Sequence, residues 1–283
     1  MKRTTFRLAV IQMLVKGGCP DENCKRAVEK IREASKNGAH VALLPEAMNL
    51  GWTHPSAKKL AEPIPDGKTC RTLSALAQKH KIYICAGLIE RTPEGIYNSA
   101  VLIDKKGAVI LLHRKLNELE IAHDLYRLGD RLGVVDTPLG RFGLMICADA
   151  FPRYQVISRT LGLMGADVIL SPCAWAVPSD HDNEKEPYGK LWLDNYQPVA
   201  RDFKLYIAGA SNVGLIEQGP WAGRKCVGCS LVIAPDGSVL AKGPYGENAE
   251  TILYVDITPQ PRPAQGNGWE RYFRQIHQQN QKQ

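Results

Sequence analysis

Gly143-Leu-Met-Ile-Cys-Ala-Asp-Ala-Phe-Pro152 is the stretch that decides the fold. The apolar run Leu144-Met-Ile146 ends at Cys147. Small and acidic residues follow, and Pro152 closes the pattern. This reads as a buried strand running into a turn, with the cysteine at the strand's carboxyl end. In α/β proteins that edge is where chemistry is usually placed.

Working outward, strands are expected over residues 6–13, 41–44 and 82–89, with helices over 20–37 and 70–80. Ala27, Val28, Ile31 and Ala34 give the first helix one apolar face, and Gly38 is a natural stop. Residues 97–104 and 108–113 flank Lys105-Lys106-Gly107, a hairpin signal. After Cys147 the pattern repeats: a helix over 156–165, a strand over 168–170, a helix over 191–203 and a strand over 205–210. A second hairpin turns at Pro235-Asp-Gly237, and a final strand covers 253–257. The halves are roughly similar, which suggests two mixed sheets with helices outside, an α/β architecture in layers. No Pro/Ser-rich linker divides them. One domain over 1–283 is expected, with 259–283 a carboxyl-terminal tail rich in Pro and Gln.

Composition narrows the function classes. The chain is 44% hydrophobic and 23% charged, which is ordinary for a globular protein. The net charge of +7 is scattered, as in Lys25-Arg26 and Lys58-Lys59. It forms no block that would make a nucleic-acid arm. A solvated basic surface accounts for it; steering of an anionic substrate is the alternative. No run is long and apolar enough to span a bilayer, and no secretory signal fits. The eight cysteines therefore imply reduced thiols and a cytoplasmic setting rather than a disulfide framework.

Three strand ends present Glu46, Lys115 and Cys147. Taken singly, the glutamate reads as solvated, the lysine as surface and the cysteine as packing. Together they form a chemical set. A thiol is a poor nucleophile until it loses its proton. A carboxylate beside it acts as general base, and a fixed ammonium stabilises the oxyanion formed when a carbonyl is attacked. Such a site performs acyl transfer through a thioester. His113, two residues before Lys115, offers an alternative Cys–His pairing with Cys147.

Leu43-Leu-Pro-Glu-Ala47, His113-Arg-Lys-Leu116 and Leu144-Met-Ile-Cys-Ala-Asp149 resemble the three catalytic segments of the nitrilase superfamily, the carbon–nitrogen hydrolases. Supporting stretches run along nearly the whole chain: Ala9-Val-Ile-Gln12, Tyr97-Asn-Ser-Ala-Val101, Leu128-Gly-Asp130, Ser211-Asn-Val-Gly214 and Gly228-Cys-Ser230. The resemblance implies a four-layer αββα sandwich that forms homodimers or larger homo-oligomers. It implies Glu46 as general base, Lys115 as oxyanion stabiliser and Cys147 as nucleophile, with the N–H of Ala148 assisting and no metal or organic cofactor. The implied substrate is a small amide or N-carbamoyl compound. A nitrilase, an acyltransferase and a catalytically silent binding or assembly member are the alternatives. Family members carry a further glutamate between the lysine and the cysteine. Here Glu118 and Glu120 are both available, and Glu120 is preferred. Many members have an aromatic residue where this chain has Ala148. Asp149 in place of glutamate leans the reading from nitriles towards amides.

Three other features need placing. Trp175, after a strand end, either lines the substrate pocket or packs in the core. Cys226-Val-Gly-Cys229 has the spacing of a metal or redox pair, but no second pair matches it, so packing is expected. Residues 179–186 form a charged loop, either a rim over the pocket or merely solvated.

Overall fold

A computed structural model describes residues 4–262; of the expected tail, residues 263–283 lie outside the described residues. The first half runs β1 (Phe6–Gln12), α1 (Pro20–Lys36), β2 (Val41–Leu43), α2 (Ala57–Leu60), α3 (Lys68–His80), β3 (Tyr83–Thr92), β4 (Gly95–Ile103) and β5 (Val109–Arg114). The second runs β6 (Val134–Thr137), β7 (Gly140–Leu144), α4 (Val156–Leu163), β8 (Val168–Cys173), β9 (Ala176–Val177), α5 (Lys190–Phe203) and β10 (Tyr206–Ser211). The short strands β11 (Val213–Leu215), β12 (Lys225–Val227), β13 (Leu231–Ile233) and β14 (Val239–Lys242) and the longer β15 (Thr251–Ile257) complete the order.

Two six-stranded mixed sheets result, in the orders β15-β1-β2-β3-β4-β5 and β14-β13-β10-β8-β7-β6. Each has three parallel strands at its centre and antiparallel strands at both flanks. The expectation of two sheets from two similar halves is met. A third, three-stranded sheet, β11-β12-β9, was not expected. Its strands have two or three residues, too few to show an alternation.

The apolar runs are continuous because both faces of the first sheet are covered. Leu8, Val10, Val41 and Leu43 pack against Phe142, Leu144, Val168 and Leu170 of the second sheet. Their neighbours Ile11, Ala42 and Leu44 instead pack with Ala27 and Ile31 of α1 and Leu73 of α3. Leu161 of α4 and Tyr196 and Val199 of α5 are buried with the second sheet. The layers are therefore helix, sheet, sheet, helix, as the αββα expectation required. Pro20 starts α1, Asp21 and Glu22 complement its first turn, and Lys36 its last. Among the described residues no helix is long and apolar enough to cross a membrane.

Candidate active site

β2 stops at Leu43, and the chain turns so that the Glu46 N–H donates to the carbonyl of Cys173 at the end of β8, 3.2 Å away. That bond links the carboxyl ends of the two sheets. Ala47, next in line, has φ +48°, and the Gly87 N–H donates to the Pro45 carbonyl at 3.0 Å. The β4–β5 hairpin brings Asn98 opposite Lys115, whose N–H donates to the Asn98 carbonyl at 2.9 Å.

The side chains then converge. Lys115 Nζ donates to Glu46 Oε1 at 2.8 Å and to Glu118 Oε1 at 3.0 Å. Asn98 Nδ2 bridges the same two acids, at 2.7 Å to Glu46 Oε1 and 3.0 Å to Glu118 Oε2. Trp52 Nε1 donates to Glu118 Oε1 at 3.2 Å. All these groups are buried.

β7 ends at Leu144, earlier than expected, and Cys147 opens a single 3-10 turn, Cys147–Ala150, with φ +44°. A non-glycine residue there is strained unless its surroundings hold it. Asp149 is what holds it. Its Oδ2 accepts the Ile146 N–H at 2.8 Å and His113 Nε2 at 2.7 Å; its Oδ1 accepts the N–H groups of Leu116 at 3.0 Å and Asn117 at 2.8 Å. Asn117 Nδ2 donates to the Ala148 carbonyl at 2.6 Å. One carboxylate thus ties the cysteine turn to the segment that carries Lys115.

Glu46, Lys115 and Cys147 line one cavity of about 190 Å³, and Ala148 and Trp175 are in its wall. Trp175 is 1% exposed, stacks on Trp192 at 4.3 Å and lines the same cavity. One expectation and one alternative differ from the structure. Glu120 is exposed at the start of its own 3-10 turn, while Glu118 is the acid beside Lys115. The reason is reach: Glu118 is three residues from Lys115 on a loop that folds back, and burial there requires the cation as partner. His113 pairs with Asp149 rather than with Cys147. Sequence reading gave no role to Asn98, although a polar residue inside an apolar strand was a usable signal. Phe151, Trp192 and Trp221 of the wall carried no signal of their own. The charged loop 179–186 supplies none of the lining residues, but Tyr188 just beyond it does.

Burial pushes the Cys147 thiol above its ordinary value; the neighbouring Cys173 and Glu46 add to the rise, and Lys115 opposes it. Burial also raises Glu46, with Lys115 opposing and Glu118 adding. For Lys115 burial acts downward, but Glu118 and Glu46 outweigh it and hold the ammonium charged. A protonated thiol, a carboxyl poised high and a fixed ammonium make a site for nucleophilic attack on a carbonyl. Cys226 and Cys229 are buried free thiols, pushed up to about 12 and about 11 by burial, as packing cysteines are. Among the described residues no group of three or more His, Cys, Asp or Glu side chains is placed to hold a metal ion.

Residues 7–262 match the family model of the carbon-nitrogen hydrolases. The chain is 32% identical over 257 residues to a nitrilase from Pyrococcus abyssi, covering 89% of this chain and 90% of that one. It is 31% identical over 263 residues to an omega-amidase from Bos taurus, covering 89% and 88%. Among solved structures, a carbon-nitrogen hydrolase from Helicobacter pylori superposes with a TM-score of 0.79 at 24% identity, over 90% of this chain and 89% of that one. An amidase from Nesterenkonia sp. does so with a TM-score of 0.75 at 20% identity, over 92% of each.

Proposed function

The chain belongs to the carbon–nitrogen hydrolase family, and from that premise we propose that it hydrolyses the C–N bond of a small amide or N-carbamoyl compound through a thioester on Cys147. The observation that carries the proposal is that Cys147 shares one buried cavity with a Glu46–Lys115 ion pair.

Glu46 takes the thiol proton as Cys147 Sγ attacks the carbonyl carbon. The oxygen becomes an oxyanion held by the Lys115 ammonium and the N–H of Ala148. Collapse breaks the C–N bond, and the proton on Glu46 passes to the departing nitrogen. Water then gives its proton to Glu46, attacks the thioester and releases the carboxylic acid and the thiol. Glu118 and Asn98 hold Lys115 and Glu46 in register for both halves.

Intact-mass spectrometry during turnover of small amides, N-carbamoyl compounds and nitriles tests this, with Cys147→Ala as control. An acyl adduct on the native protein alone, with ammonia released, is the expected result. Ammonia from nitriles but not amides selects a nitrilase. Transfer of the acyl group to an added amine in preference to water selects an acyltransferase. No adduct and no ammonia with any class refutes the enzyme reading.

The same proposal includes a single domain, supported by a core drawn from both sheets. It includes a homo-oligomer, supported by exposed Tyr154, Val156 and Leu163 around α4 and checked by light scattering. It also includes a cytoplasmic setting, supported by eight free cysteines.

A further inference from the structure

The wall of the cavity carries information about the acyl group that the reacting residues do not. Apart from Glu46 and Lys115, no described residue in that wall is charged. It is built largely from aromatic rings. Phe151 packs on Trp192 at 4.7 Å, Trp192 stacks on Trp175, and Trp52 meets Trp221 edge-on at 4.9 Å. The Tyr188 hydroxyl oxygen is engaged by Trp192 Nε1 at 2.9 Å.

The charges that are present are already committed. Lys115 faces two carboxylates, Glu46 and Glu118, so the cluster offers no spare cation to a substrate anion. Arg224 stacks its guanidinium over the ring of Trp221 at 4.4 Å and is absent from the wall. A carboxylate on the substrate would leave water without a partner and lie near excess negative charge, which is strongly unfavourable. An ammonium would find ring faces but no uncommitted carboxylate to accept its N–H groups. The cavity, at about 190 Å³, is also smaller than the roughly 300 Å³ at which pockets begin to take drug-sized ligands.

We infer that the substrate is a small amide whose acyl group is uncharged and apolar. The inference rests on the amide-hydrolase reading above and adds the substrate class. The rings of Trp52, Trp175, Trp192 and Trp221 desolvate an alkyl or aryl group and leave its carbonyl at Cys147.

Three amides of matched length test it on the native full chain: hexanamide, its analogue ending in a carboxylate (adipamate) and its analogue ending in an ammonium (6-aminohexanamide). Ammonia release gives kcat/KM for each. Hexanamide is expected to exceed both charged analogues by at least about a hundredfold, the scale of burying an unpaired charge. Trp221→Arg is expected to narrow the gap to adipamate by supplying the missing cation. Turnover of either charged analogue within about tenfold of hexanamide overturns the substrate class while leaving the amidase reading standing. Loss of that adipamate turnover in Arg224→Ala would identify Arg224 as the cation that the inference leaves out. No ammonia and no Cys147 adduct with any of the three overturns both.

Discussion

Lys115 sits between two carboxylates, and this governs how the site titrates. Glu118 raises Glu46 by its charge and competes with it for the ammonium. Glu118→Gln removes a negative neighbour and leaves Lys115 to Glu46, so both changes lower the pKa of Glu46. With Glu46 as the proposed general base, activity needs it unprotonated, so the acid limb of kcat/KM against pH is expected to lie above the ordinary glutamate value in the native protein. In Glu118→Gln it is expected to move to lower pH, with kcat reduced about tenfold or more as Lys115 loses one support. Glu120→Gln, at an exposed position, is expected to leave the profile unchanged. A pH–rate series on both variants checks this, and a shift in Glu120→Gln instead would reverse the assignment. The sequence offered both acids, and its reading preferred Glu120. What separates them is the path of the five-residue loop 115–119, which no periodicity encodes.

Asp149 and Gly87 act between elements. Both oxygens of Asp149 accept two donors each, so Asp149→Asn must aim an N–H at two of them. The expected loss is about 2–4 kcal/mol in denaturant unfolding, from buried donors left without an acceptor. The Asp149 carboxyl is held below its usual range. Burial acts upward, but the His113 bond and the backbone N–H groups outweigh it. A depressed folded pKa contributes stability that is present above the unfolded value and lost as pH falls through the folded one. The acid-side loss of stability should therefore be shallower in Asp149→Asn. Gly87 in β3 is needed for space: a Cβ there would stand 2.5 Å from Glu46 Cα and 2.7 Å from the Pro45 carbonyl oxygen. Gly87→Ala is expected to push the Glu46 turn away and lower kcat/KM at least about tenfold. Rates unchanged in a folded variant would show that the turn absorbs the methyl. The long strands and helices around these points were legible, because their alternation and helical spacing extend over many residues. Tight turns were not. The strand expected to reach Cys147 stops at Leu144, because Asp149 captures the Ile146 N–H and diverts the chain.

At the scale of the molecule, the site lies where the carboxyl ends of the central parallel strands of both sheets meet. Glu46 follows β2 of the first sheet and Cys147 follows β7 of the second, with the Glu46–Cys173 backbone bond between them. The distance from Glu46 to Cys147, the proposed base and nucleophile, is therefore set by how the two sheets pack, while α1 and α3 brace only the outer face of the first. Cavities made in these two layers should have different consequences. Leu43→Ala opens the layer between the sheets, and Leu73→Ala opens the layer under α3; both side chains are fully buried. Each is expected to cost about 2–5 kcal/mol of stability. Where both variants remain folded, Leu43→Ala is expected to lose about tenfold or more in kcat, since a misplacement of the reacting groups by a fraction of an ångström is enough. Leu73→Ala is expected to stay within about twofold, because its cavity opens away from the inter-sheet layer. Denaturant unfolding and steady-state kinetics on the pair decide the matter. Equal losses of kcat in both would show that the site responds to overall stability and not to the register of the two sheets.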